Sequence, residues 1–209
     1  MLLTTLLAGV FPAYAQLTPK TMTGEYYLTG VMETASGFLL QPDSTFKFYY
    51  TYGALDRFGE GKWSLKENNK LELNSRPRPE KDFALITAKK IPGDFITIRI
   101  VDNNSMLLRY IDCAVGNAAR SQKAISTNDE GIALFRKDDA ATIGLLFRLC
   151  PDRAATFKIE DPSLNYFEFR FEPWITEVFF DKFQLDIQEE QLIGKHPLLM
   201  GEKYTYLKQ

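Results

Sequence analysis

The sequence predicts an all-β protein, an antiparallel meander or partial barrel followed by a β-sandwich, and three observations carry that prediction. The first is strict alternation: within Thr45 to Tyr52, the residues Phe46, Phe48, Tyr50 and Tyr52 share one parity while Thr45, Lys47, Tyr49 and Thr51 share the other, the period of a half-buried strand. The second is punctuation, since short extended runs follow one another with Gly, Pro, Asn and Asp between them. The third is size and composition: 209 residues, 45% hydrophobic and 25% charged, suffice for one large all-β domain or two small ones.

The opening MLLTTLLAGVFPAYAQ holds an apolar run from Leu2 to Phe11, then Pro12, then Ala13-Tyr14-Ala15, the small-x-small pattern of signal-peptide cleavage. Residues 1–15 are therefore expected to be a cleaved signal peptide, with the mature chain starting at Gln16 in the periplasm or outside the cell. No Cys follows the cleavage pattern, so no lipid anchor is expected. Nothing later approaches the roughly 18–20 apolar residues of a membrane helix. A net charge of −2 and a pI near 5.6 give no field that would gather nucleic acid.

In order, Gly24 to Val31 and Ser36 to Leu40 read as strands, and Gln41-Pro42-Asp43-Ser44 as a turn in which Pro sets φ and Asp bonds its own backbone. The aromatic strand Thr45 to Tyr52 follows. Gly53 to Glu60 reads as irregular, and Gly61 to Leu65 with Lys70 to Asn74 as a hairpin burying Trp63, Leu65, Leu71 and Leu73. The proline-rich, charged 76–82 segment is the expected linker between a domain over 16–75 and one over 83–209. Beyond it, Phe83 to Lys89 and Phe95 to Val101 are expected to pair around Ile91-Pro92-Gly93-Asp94, the second strand burying Ile96, Ile98 and Ile100. Ala141 to Leu149, Thr156 to Ile159 and Asn165 to Phe171 alternate likewise. Ile175 to Ile187 reads as a strand with a bulge, and Lys203 to Leu207 as a last, edge-type strand.

Two resemblances follow from these residues. Gly24-Glu25-Tyr26-Tyr27, the turn Pro42-Asp43-Ser44-Thr45-Phe46 before an aromatic strand, and Gly61-Lys62-Trp63 resemble the small lipocalin-like β domains of bacterial exported proteins. The resemblance implies a barrel, although about five strands in this stretch fall short of the eight of a closed one. Ile98 to Leu107, Ile111-Asp112-Cys113-Ala114-Val115-Gly116 and Ser126 to Phe135 resemble the transthyretin-like, or carboxypeptidase regulatory-like, β-sandwich. Both resemblances imply modules that bind or scaffold.

Few residues point to chemistry, and no catalytic residue is assigned. His196, the single histidine, lies in Gly194-Lys195-His196-Pro197, read as a solvated loop with no nucleophile setting beside it. One His and two distant Cys make no zinc site, and no cofactor is implied. Cys113 and Cys150 leave two alternatives, a disulfide or a pair of buried thiols. Carboxylate pairs for hydrolysis can be drawn from Glu25, Glu33, Asp56 or Glu60, but among 27 acidic residues such pairs arise by chance. The set Phe46, Phe48, Tyr50, Tyr52 and Trp63 is either an aromatic core or the lining of a barrel that holds an apolar or sugar-like ligand. The expected function is an exported, non-enzymatic binding or assembly module with a protein partner. A small-ligand carrier and a carboxylate-dependent hydrolase are the alternatives.

Overall fold

The computed structural model describes residues 18–53, 55–117, 119–137 and 139–209, and the expected signal peptide lies outside them. One helical turn, α1 (Pro19–Met22), precedes β1 (Gly24–Thr29), β2 (Thr34–Leu40), β3 (Thr45–Tyr52), β4 (Leu55–Lys66) and β5 (Lys70–Asn74). Next come β6 (Phe83–Lys89), β7 (Phe95–Val101), a 3-10 turn over Ser105–Tyr110, β8 (Ile111–Gly116), β9 (Ile125–Ser126), β10 (Ile132–Arg136), β11 (Thr142–Phe147), β12 (Ala155–Lys158) and β13 (Tyr166–Phe171). The chain closes with β14 (Phe183–Gln188), β15 (Gln191–Gly194) and β16 (Tyr204–Lys208).

The predicted all-β class holds, and the partial barrel is a complete one. Its strand order is β1-β16-β15-β14-β5-β4-β3-β2, closed. The C-terminal strands, assigned from sequence to a sandwich over 83–209, instead complete the barrel: β14 pairs with β5 through Phe183↔Leu73, and β16 pairs with β1 through Tyr27↔Leu207. The reason is physical. Five strands leave β1 and β5 as open edges, and the last three strands supply the missing rungs with inward Leu185, Leu192 and Tyr206, each fully buried. β16 is consequently no edge strand, since β15 flanks it on its other side.

Two compact units result. One holds the described residues up to Tyr49 with Glu60–Ser75 and Phe180–Gln209; the other holds Tyr50–Gly59 and Arg76–Phe179. In the barrel unit the two ends of the interruption are tied together: the Ser75 N–H donates to the Phe180 carbonyl at 2.8 Å, and the Phe180 N–H donates to Ser75 Oγ at 3.2 Å. At this end of the barrel, where β14 starts and β15 stops, the Phe180 ring lies 5.1 Å from Phe46 and 5.3 Å from Phe48 and closes the interior. At Gly61 a Cβ would sit 2.1 Å from the Asn74 carbonyl oxygen, so only glycine lets β4 and β5 approach. The Gln41–Ser44 turn forms as read, with Asp43 Oδ1 accepting from the Thr45 N–H at 3.0 Å.

Three local readings are corrected. The stretch Gly53 to Glu60, read as irregular, contributes the first half of β4. Ile175 and Thr176 lie in a turn, Glu177 makes an isolated parallel bridge to Phe58, and only the second half of the expected bulged strand forms a strand, after Lys182 at φ 48°. Strands β6 and β7 do not pair. They belong to the sheet β10-β7-β13-β6, where β13 enters between them, parallel to β7 and antiparallel to β6. Asn165, 1% exposed, holds this arrangement: its Nδ2 donates to the Phe95 carbonyl at 3.0 Å while its Oδ1 accepts from the Ile91 N–H at 2.8 Å. The isoleucine alternation of β7 buries one face whichever strand lies beside it, so periodicity left the partner open. The second sheet, β12-β11-β8-β9, packs on the first through one continuous apolar core that includes Ile98, Ile111, Cys113 and Phe169.

Candidate functional site

The barrel interior is the place to test the aromatic set. Phe46, Phe48 and Trp63 are 1%, 2% and 3% exposed, and Tyr50 is buried. Tyr52 departs from them at 53% exposure, because β3 ends there and Gly53 turns the chain at φ 58°. The interior rings meet one another: Phe38 and Phe48 are 5.1 Å apart, Phe38 and Tyr206 5.0 Å. Trp63 donates its indole N–H to the Gln41 carbonyl at 3.1 Å. These contacts are those of a filled small barrel, in which ring edges meet ring faces.

His196, read from sequence as a solvated loop residue, is buried at 5% exposure in the barrel unit. Its Nδ1 accepts from the Leu198 and Leu199 N–H groups at 3.0 and 3.1 Å, so the neutral ring carries its proton on Nε2, which faces Ser36 Oγ at 3.1 Å. Ser36 Oγ in turn donates to the Tyr49 carbonyl at 2.8 Å. This is a Ser–His contact with the wrong polarity for nucleophilic catalysis: the ring nitrogen beside the hydroxyl is a donor, and the hydroxyl proton is already directed at a carbonyl. Burial pushes the imidazole down to about 4.

In the other unit the structure assembles a charge cluster that the sequence did not reveal. Arg57, with a side chain 2% exposed, donates through Nη1 and Nη2 to the two oxygens of Asp152 at 2.9 and 2.6 Å, and through Nε to the Thr176 carbonyl at 3.3 Å. Asp82, 4% exposed, accepts from Arg153 Nε at 3.1 Å and from Arg78 at 3.3 Å. Arg76 pairs with Glu177 at 2.5 Å. Burial pushes the Asp152 carboxyl up, but the Arg57 guanidinium more than offsets this, so the group stays below the ordinary carboxylate range. Bidentate geometry and mutual neutralisation make the cluster a clamp on the Tyr50–Gly59 segment.

The other sequence candidates do not converge. Glu25 accepts from the Tyr27 hydroxyl and Asp56 from Thr51 Oγ, while Glu60 is exposed and Glu33 occupies a turn at φ 57°. Cys113 and Cys150 are free, buried thiols, so the disulfide alternative is not realised; burial pushes them up to about 12 and about 11. Among the described residues no group of three or more His, Cys, Asp or Glu is placed to hold a metal ion, and no helix is long and apolar enough to cross a membrane.

One surface remains. On the outer face of β10-β7-β13-β6, Phe95 and Leu134 are 50% and 52% exposed, and the register places them diagonally across the β7–β10 pair. Arg99, Arg136, Arg170 and Lys89 share this face with two carboxylates, Glu168, 3.6 Å from Arg99, and, just past the end of β13, Glu172, 3.5 Å from Arg170. The free edge of β10 is blocked at both ends: Asn128 exchanges hydrogen bonds with Ile132 at 2.8 and 3.0 Å, and Gln122 Nε2 donates to the Arg136 carbonyl at 3.0 Å. Comparison with protein-family models, with characterised proteins and with solved structures finds no match.

Proposed function

We propose that this protein is an exported, non-enzymatic binding module and that it docks an acidic polypeptide on the outer face of the β10-β7-β13-β6 sheet. The observation that carries this reading is the pair Phe95 and Leu134, half exposed on a face where four cations outnumber the carboxylates Glu168 and Glu172. The outer face of a sandwich sheet is normally polar, and an apolar pair ringed by like charge has the anatomy of a contact surface: anchors that bury area and a rim that selects the partner's sign. Because the β10 edge is capped, the face itself is the contact surface, and strand addition along that edge is disfavoured. The carrier and hydrolase readings have no comparable support, since the barrel rings pack on one another and the candidate acids are dispersed.

The test is chemical-shift mapping of the 15N-labelled protein with a soluble Glu/Tyr copolymer, and with polylysine as the control. Salt-sensitive shifts at the amides of Phe95, Arg99 and Leu134, abolished in the Phe95→Ala/Leu134→Ala variant, are expected. No shifts, shifts confined to the barrel, or an equal response to polylysine overturn the proposal. Export is tested separately by the intact mass of protein from the exported fraction, expected to begin at Gln16; a start at Met1 overturns it.

A further inference from the structure

We propose that Glu168 is a built-in stand-in for the partner's carboxylate: it engages Arg99 in the free protein, is displaced when an acidic segment docks, and so selects clustered carboxylates over single ones. This inference rests on the docking reading above and assigns that face its selectivity. In the β7–β10 pair Arg136 stands directly opposite Phe95 and Arg99 stands diagonal to Leu134, so these two arginines are the cations beside the apolar anchors. Arg99 is already engaged by an acid of its own chain. Glu168 lies beside it across the parallel β7–β13 pair, with Arg99 Nη1 3.6 Å from Glu168 Oε2. The same oxygen accepts from the Tyr166 hydroxyl at 2.7 Å. One carboxylate oxygen thus draws both a guanidinium and a phenol toward it, which is the arrangement a partner's carboxylate would take over.

The contact is weak enough to exchange. The Arg99 and Glu168 side chains are 47% and 21% exposed, and a pair so placed is screened by water and salt. Glu168 has only to turn about its own side-chain bonds to reach solvent, and an incoming carboxylate then accepts from Arg99 and Tyr166 in its place. Lys89, with Nζ 4.7 Å from the centre of the Tyr166 ring, brings a second cation to the other side of the same phenol.

Selectivity follows from the tether. A carboxylate fixed beside its cation competes at a high effective concentration, and a ligand with a single carboxylate must match that concentration to displace it. A segment with several carboxylates does not face this limit. Once it is held at Arg136 or Lys89, its attack on the Arg99 contact is intramolecular too, and the two carboxylates compete on equal terms. Glu168 is therefore the repulsive element that a selective surface needs beside its attractive ones.

The test compares wild type, Glu168→Gln and Glu172→Gln in titrations with the Glu/Tyr copolymer and with acetate, the single-carboxylate probe. Glu172 pairs with Arg170 at 3.5 Å, further from the anchors, so its replacement removes the same charge from the same face without freeing Arg99. Glu168→Gln is expected to bind the copolymer about two- to fivefold more tightly, the range that losing an exposed competing ion pair supplies, with Glu172→Gln close to wild type. In the wild type, the side-chain carboxyl 13C resonance of Glu168, assigned by its loss in Glu168→Gln, is expected to move as copolymer is added and to stay in place with acetate at the same carboxylate concentration. Equal tightening in both variants, or none in Glu168→Gln, overturns the proposal. An unmoved carboxyl resonance alongside copolymer-induced shifts at Phe95 and Leu134 also overturns it while leaving the docking reading standing. Absence of those amide shifts in wild type and Glu168→Gln alike overturns the docking reading, and this inference with it.

Discussion

The hydroxyl of Tyr206 is buried in the barrel wall without a hydrogen-bond partner among the described residues, although the ring around it packs well against Phe38 and His196. Burial raises its pKa far above the ordinary phenol value, so it is always a neutral O–H. A buried donor left unpaired costs about 1–3 kcal/mol, and a phenylalanine keeps the packing without that cost. Tyr206→Phe is therefore expected to raise stability by about 1 kcal/mol or more in urea denaturation; a loss of stability would mean that the hydroxyl is satisfied. Tyr26 is the contrasting case. Its hydroxyl donates to the Met22 carbonyl at 2.9 Å, and the same substitution there should destabilise. Sequence alone could not separate the two tyrosines, since both stand at inward parity on adjacent strands and differ only in what their tips reach.

At the scale of elements, β4 shows what was legible and what was not. Alternation located the strands wherever inward positions are apolar, as in β3, β7 and β13, and turn chemistry located the Asp43 turn. It failed at the start of β4 because the polarity there is inverted while the parity runs on to Trp63: Arg57 points in at 3% exposure and Phe58 points out at 50%. An inward arginine looks like a loop residue until its partner is known, and Asp152 stands about 95 positions away. The same limit hid His196, whose burial depends on two N–H groups of its own turn and a serine about 160 positions away. The β6–β7 pairing failed for a related reason, since strand order is decided by long-range contacts such as those of Asn165. The clamp is testable. Removing Arg57 leaves a partly buried carboxylate, so Arg57→Ala should cost about 3–5 kcal/mol, and adding Asp152→Ala should recover part of it. A cost under about 1 kcal/mol, or strict additivity in the urea denaturation cycle, would show that the pair holds nothing.

At the scale of the whole molecule, the barrel is one meander interrupted between β5 and β14 by a chain of roughly 100 residues that forms the sandwich. While the sandwich is folded, that long connection behaves as a short one, because its ends are fixed and Ser75 and Phe180 bond directly. Unfolding the sandwich turns the connection into a flexible loop, and closing a loop of that length costs ~4 kcal/mol by the (3/2)RT ln n rule. Chain entropy by itself therefore makes the barrel depend on the sandwich, by a large fraction of an ordinary domain's stability. Two local reporters separate the units: Cys113 and Cys150, buried thiols of the sandwich core, and the His196 ring of the barrel. Ile98→Asp places an unpaired charge in the centre of the sandwich core, where Ile98 is fully buried, and should unfold that unit and make both thiols reactive at once. The barrel, followed by the His196 resonance at neutral pH, is expected to persist with its stability in urea lowered by ~4 kcal/mol. An unchanged barrel midpoint would show that the interruption carries no entropic load, and complete loss of the barrel would show a coupling larger than loop closure provides.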